Sequence, residues 1–140
     1  GFSSLTGTRP TNEDTEIIEC IETQDVHLTI IAVFDGHGGQ QASLYCKENF
    51  MSLFKAYLRE FGVCEAIQKV CSQLDAEFCD LNSQAGTTAT IAVYDLKNQQ
   101  VVTANIGDSR TILSFSNQFF ATKDHKPSDE AEKARIEQAG

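Results

Sequence analysis

Apolar residues recur along this chain with two periods, and the switch between them divides it into segments. Thr15 to Glu22 and His27 to Phe34 are β-branched and apolar stretches separated by the polar Thr23-Gln24-Asp25, which predicts an antiparallel strand pair. After Gly39 the spacing changes: Ala42, Tyr45, Cys46, Phe50, Leu53, Phe54, Tyr57 and Leu58 follow three- and four-residue steps. That spacing predicts a long amphipathic helix broken at Gly62. A second helical stripe runs through Val63, Ile67, Val70, Cys71, Leu74, Phe78 and Leu81 and ends in the polar Asn82-Ser83-Gln84. From Gly86 strand chemistry returns over Thr87 to Tyr94, Gln100 to Ile106, Thr111 to Phe115 and Phe119 to Thr122, a pattern that predicts a β-meander. Ser128 is a candidate N-cap for a short helix from Ala131 to Ala139, with Asp129 and Glu130 placing acids in its first turn. Strands, two helices, strands and a helix do not alternate as in a doubly wound fold. The order predicts antiparallel α+β layers.

Composition narrows the function classes. At 140 residues the chain has room for one domain with a real core. Acidic residues outnumber basic ones 20 to 11, the net charge is -9, and no Lys/Arg cluster occurs. Nucleic acid and anionic membranes are therefore poor partners. The longest apolar run falls far short of the roughly 20 residues that span a bilayer, and the first residues lack the pattern of a signal peptide. Cys20, Cys46, Cys64, Cys71 and Cys79 form an odd set without a C-x-x-C pair. They suit reduced thiols packed as small core residues inside a cell, with Cys64 and Cys71 on one helix face. An intracellular protein, cytoplasmic or nuclear, is expected. The chain opens without a methionine and its last helix has nothing after it to pack on, so part of a longer protein is expected.

Candidate chemistry gathers at the end of the apolar run from Leu28 to Phe34, in Asp35-Gly36-His37-Gly38-Gly39. A glycine lets the backbone approach a ligand closely, so Gly36 can offer its carbonyl beside the Asp35 carboxylate. Both are hard oxygen donors suited to Mg²⁺ or Mn²⁺, although Asp-Gly is also a common turn pair. Just before the first strand, Arg9-Pro10-Thr11-Asn12-Glu13-Asp14 supplies a guanidinium able to grip phosphate bidentately. Glu13 and Asp35 form a possible carboxylate pair on neighbouring strand ends, able to hold two divalent ions with an acidified water between them. A solvated acidic turn with a surface ion pair is the plainer alternative. Asn105 to Arg110 can equally be a tight hairpin turn, Thr122 to Pro127 a polar loop before a helix, and His27 a surface residue.

Taken together, these segments are far more specific than any one of them. Arg9 with Glu13-Asp14, Phe34 to Gly39, Gly86-Thr87-Thr88-Ala89, Gly107-Asp108-Ser109-Arg110, Asp124-His125-Lys126-Pro127 and Glu132 to Gly140 occur in one order. In that order and at these spacings the chain resembles the metal-dependent protein phosphatases, the PPM or type 2C serine/threonine phosphatases. The resemblance covers essentially all 140 residues but only about the N-terminal half of that family's catalytic domain. It implies an antiparallel β-sandwich flanked by helices, in α-β-β-α layers, incomplete over this stretch. It also implies two Mg²⁺ or Mn²⁺ ions with a weaker third, phosphoserine or phosphothreonine proteins as substrates, a monomer, and direct attack of a metal-bridged water on phosphorus without a phosphoenzyme.

By the same resemblance, Asp35 is the metal-bridging aspartate, with Gly36 giving its carbonyl and Glu13 a carboxylate. Arg9 clamps the substrate phosphate, and His37 is the general acid that protonates the leaving oxygen. Asp14 accepts a hydrogen bond from metal-held water, and Asp108 serves the weaker third ion. The family's two further metal aspartates, in an Asp-Gly element and an Asp-Asn pair, have no counterpart within these residues. The segment alone is therefore expected to bind metal weakly and turn over poorly. The alternative is a pseudophosphatase that keeps the fold as a regulatory or protein-binding module.

Overall fold

The computed structural model describes residues 1–140. Its strands are β1 (Thr15–Glu22), β2 (His27–Phe34), β3 (Gly36–His37), β4 (Gly86–Thr87), β5 (Ala89–Asp95), β6 (Gln100–Ile106), β7 (Ile112–Phe115) and β8 (Gln118–Ala121). Its helices are α1 (Gln41–Leu58), α2 (Val63–Cys79) and α3 (Glu130–Ala139). Four strands form one antiparallel sheet in the order β1-β2-β5-β6, while β3 pairs with β4 and β7 with β8.

Register gives this sheet two unlike faces. Ile17, Ala32, Ile91 and Ala104 lie abreast across the four strands, so their side chains point the same way. That face also carries the fully buried Leu28, Ile30, Phe34 and Val93, and α1 and α2 close over it with Phe50, Phe54, Ile67, Val70 and Leu74. The next row, Ile18, Ile31, Ala92 and Thr103, faces the opposite side, where Ile18, Ile31, Tyr94 and Val101 stay exposed. The helix-on-sheet half of the expected layers is thus present. Its open face is where the second sheet of a sandwich would stack.

Several local expectations need correction. The expected meander is interrupted, because β6 and β7 do not pair and the β7–β8 hairpin stands apart from the main sheet. Ser128 does not cap α3; the N-cap position is Asp129, which makes no side-chain capping bond. The cysteines are not uniformly core residues: Cys46 and Cys71 pack against the core, but Cys20, Cys64 and Cys79 are exposed. All five are free thiols. Burial pushes both Cys46 and Cys71 up to about 11, which keeps them neutral and apolar in character near neutral pH.

A polar chain fastens α1 to α2 beside the core. Tyr45 donates to Glu77 at 2.7 Å, Gln73 donates to the other Glu77 oxygen at 2.6 Å, and Tyr57 donates to Gln73 at 2.7 Å. The Gln73 amide first, and then the Tyr45 hydroxyl, hold the Glu77 carboxyl below its usual 4.5. A carboxyl lowered in the fold adds stability above its unfolded pKa and loses it as pH falls through the folded value. Tyr45→Phe is accordingly expected to destabilise the protein at neutral pH, with the deficit shrinking as pH drops below about 4.5, read by urea titrations at a series of pH values. Phe50 has no exposed surface and packs against the rings of Phe34 and Phe54 at 6.0 and 5.8 Å. Phe50→Ala should cost about 3–5 kcal/mol in the same titration.

Candidate active site

The apolar run of β2 ends at Phe34, and the chain steps through Asp35 into β3, where Gly36 faces Thr87 and His37 faces Gly86. Gly36 is a glycine because two groups already occupy the space of a side chain. A Cβ there would collide with the Glu13 carbonyl and lie 2.9 Å from Ser43 Oγ. Ser43, in the first turn of α1, has no exposed surface. Its hydroxyl lies 2.5 Å from the Glu13 carbonyl oxygen and 3.1 Å from that of Gln40, while Thr15 Oγ1 donates to the Ser43 carbonyl at 2.8 Å. The start of β1, the end of β2 and the start of α1 are therefore knotted at one point.

This knot draws the carboxylates together. Glu13 accepts the Gly39 N–H at 3.2 Å and the Thr11 hydroxyl at 3.3 Å. Gly38 and Gly39 have φ of 70° and 119°, left-handed values that favour glycine and turn the chain so that this N–H faces Glu13. Asp14 is fixed by its own N–H, which donates to Asn12 Oδ1 at 3.0 Å. Arg9, Glu13, Asp14, Asp35 and Gly36 line a single cleft of about 500 Å³, whose walls include only one apolar residue. Loss of solvent first, then the carboxylates of Asp14 and Asp108, push the Asp35 carboxyl above its usual range, and Arg9 opposes the shift.

Two of the expected site residues sit apart from this cleft. Asp108 lies in the loop after β6 and does not line the cleft, but its charge reaches Asp35. His37 lines a neighbouring cavity of about 310 Å³ walled mainly by apolar groups such as Phe34, Phe50, Leu74 and Phe78. Its ring lies close against β4, since a Cβ on Gly86 would come 2.5 Å from Nε2.

The donors gathered at the cleft are all oxygens, the set preferred by Mg²⁺ or Mn²⁺, and the carboxylates that raise Asp35 would be relieved by positive charge among them. No three His, Cys, Asp or Glu side chains converge into a ready-formed cage. The residues thus suit a hard cation whose remaining positions are filled by water or by further ligands.

Three further residues hold this arrangement in ways that their residue types do not announce. Ser43 reads as an ordinary polar helix residue, and nothing in the pattern marks it as the donor to Glu13. Thr88 reads as one position of a continuous strand, yet it falls between β4 and β5, and its N–H donates to the Asp35 carbonyl at 2.9 Å. Asn105 reads as part of a turn. Its amide donates to the carbonyls of Gly107 at 3.0 Å and Lys123 at 3.2 Å, while its buried Oδ1 has no partner.

Comparison with known proteins follows the same lines. The family model described as Protein phosphatase 2C matches residues 1–140. A rice protein named probable protein phosphatase 2C 52 is 36% identical over 146 residues, covering 100% of this chain and 29% of the relative. Another rice protein, probable protein phosphatase 2C member 13, mitochondrial, is 37% identical over 148 residues, covering 100% of this chain and 40% of the relative. Among solved structures, a C. elegans sex determining protein superposes with a TM-score of 0.85 at 26% identity, over 97% of this chain and 36% of that one. The PPM Ser-Thr phosphatase of Mycobacterium smegmatis, in complex with cacodylate, superposes with a TM-score of 0.59 at 25% identity, over 93% and 53%. The chain spans less than half the length of these two rice relatives. With the family model matched from first residue to last, and the acidic cleft formed from the segments that carry the resemblance, this chain belongs to the protein phosphatase 2C family.

Proposed function

We propose that the protein containing this chain is a Mg²⁺- or Mn²⁺-dependent phosphatase acting on phosphoserine and phosphothreonine proteins. The observation that carries this reading is the opening of Arg9, Glu13, Asp14 and Asp35 onto one polar cleft. A guanidinium offers a planar pair of donors to two phosphoryl oxygens and keeps its charge at any working pH. Glu13 and Asp35, pinned through the Ser43 knot, are suited to hold divalent cations against the substrate, with the Gly36 carbonyl as a neutral oxygen donor beside them. When bound, such cations supply charge for the phosphoryl oxygens and a water acidic enough to ionise near neutrality. Asp14, which lines the cleft with Asp35, would accept a hydrogen bond from cation-held water.

His37 lies on the other side of β3, against Gly86. Its assignment as general acid requires the leaving serine or threonine oxygen to lie toward the β3–β4 edge. An imidazole can both donate and accept a proton, which suits that task. Asp108, which faces Asp35 electrostatically but from outside the cleft, is suited to a peripheral third ion. No helix is long and apolar enough to cross a membrane. A location inside the cell rests on the five free thiols, and the mitochondrial name of one relative adds an organelle to the cytoplasm and nucleus as candidate compartments.

Two measurements test this reading. In the whole protein, Asp35→Asn is expected to lower kcat/KM on a phosphoserine peptide by about a hundredfold or more. Unchanged activity would remove the mechanism. Calorimetric titration of the 140-residue chain with Mn²⁺ should show only weak binding, because two carboxylates and a carbonyl leave most cation positions to water. Micromolar binding at two sites by that segment would contradict the expectation.

A further inference from the structure

Asp35 and Asp108 belong to segments far apart in sequence, one at the end of β2 and the other in the loop after β6. A single residue touches both segments. Thr88 is only 9% exposed and donates its N–H to the Asp35 carbonyl at 2.9 Å. Its hydroxyl makes a 2.5 Å hydrogen bond with Ser109 Oγ, immediately after Asp108. Its methyl group lies against Gly107, immediately before Asp108, where an added Cβ would come within 2.8 Å of Thr88 Cγ2. Gly107 has φ of 83°, so that contact and the left-handed backbone both favour glycine there. Asp108 is thus flanked by two residues gripped by one side chain, and that side chain's backbone is tied to Asp35.

We propose that Thr88 is a positioning residue that fixes the spacing between the Asp35 and Asp108 carboxylates, and through it the affinity of the site for divalent cation. The inference rests on reading both aspartates as serving bound cations. Threonine suits the task in both parts of its side chain: the hydroxyl fixes the loop by a directional bond, and the methyl fills the space that Gly107 leaves. The tie limits how far the two segments can move apart.

The test is calorimetric Mn²⁺ titration of the whole protein, with thermal melting of the metal-free form alongside. Thr88→Val keeps the shape, the methyl groups and the backbone N–H but removes the hydroxyl. It is expected to weaken Mn²⁺ binding about tenfold, in the range seen when the support of a metal ligand is removed. Thr88→Ser, which keeps the hydroxyl but loses the methyl group, should weaken binding less than Thr88→Val does. Ser109→Ala should reproduce the Thr88→Val loss, and the double variant should lose no more than either single one, because both break the same bond. Should Thr88→Val fail to fold, Ser109→Ala carries the test alone. Wild-type Mn²⁺ affinity in Thr88→Val and Ser109→Ala, with binding lost in Asp35→Asn and Asp108→Asn, overturns the positioning role and leaves the site reading intact. An unaltered titration in Asp108→Asn overturns the cation reading of that residue, and the proposal with it.

Discussion

The close approach of two backbones at Gly36 governs the rest of this site. The Glu13 carbonyl occupies the place of the absent side chain, and the buried Ser43 hydroxyl binds that same carbonyl from α1. Any side chain at residue 36 would separate β2 from the segment before β1, and Glu13 from Asp35 with it. The constraint also reaches the core. Thr15 and Ser43 are the two hydroxyl residues of the knot, and beyond them β1 and α1 run directly into the packed layer of Ile17, Phe50 and Phe54. A site held this way has its position set by the hydrophobic core rather than by loops alone. Precision of that kind favours chemistry that depends on a fixed separation of charges.

Much of this was legible because each half-buried element repeats its pattern. β1 and β2 run over the residues that the alternation marks, and α2 begins at Val63, after the break at Gly62. The Asp35 to Gly39 segment stood out because a strand ending in a carboxylate and several glycines is chemically unusual. Less legible were features decided by distant partners. Asn105 to Arg110 has the composition of a hairpin turn, but its bonds run instead to the segment before α3. His125 N–H donates to the Gly107 carbonyl at 2.8 Å, Asn105 reaches Lys123, and Arg110 pairs with Asp124 at 2.8 Å. Those contacts pull the loop away from a β6–β7 ladder. The break at Thr88 has the same origin, since its N–H serves Asp35 and its hydroxyl serves Ser109. In Ser128 and in Cys20, Cys64 and Cys79, residue type suggests a role that the surroundings do not support, because capping and burial depend on neighbours that spacing does not reveal.

The open face of the sheet reflects the same coupling of pattern and surroundings. An antiparallel sheet with one face in water alternates apolar and polar residues, yet here Ile18, Ile31, Tyr94 and Val101 occupy the outward rows. β7 and β8 add exposed Ile112, Phe115, Phe119 and Phe120, and α3 buries nothing. The inner face already accounts for the core, so these outward apolar residues are chosen for something other than solvent. They fit the layered sandwich that the family resemblance implies, in which a sheet is apolar on both sides.

Charge then sets the order in which the cleft can be filled. Glu13, Asp14 and Asp35 face Arg9 across one polar space, in a chain whose net charge is -9. Two unit charges about 4 Å apart interact by about 4 kcal/mol at the effective dielectric of a protein surface. One guanidinium therefore cannot offset three carboxylates for an incoming phosphate dianion. Loss of solvent first, and then the neighbouring carboxylates, raise the Asp35 carboxyl, so part of the same imbalance is seen from within the protein. On the function proposed above, positive charge would reach these oxygens before a phosphate ester, and Arg9 at the cleft wall would add direction to an attraction it could not supply alone.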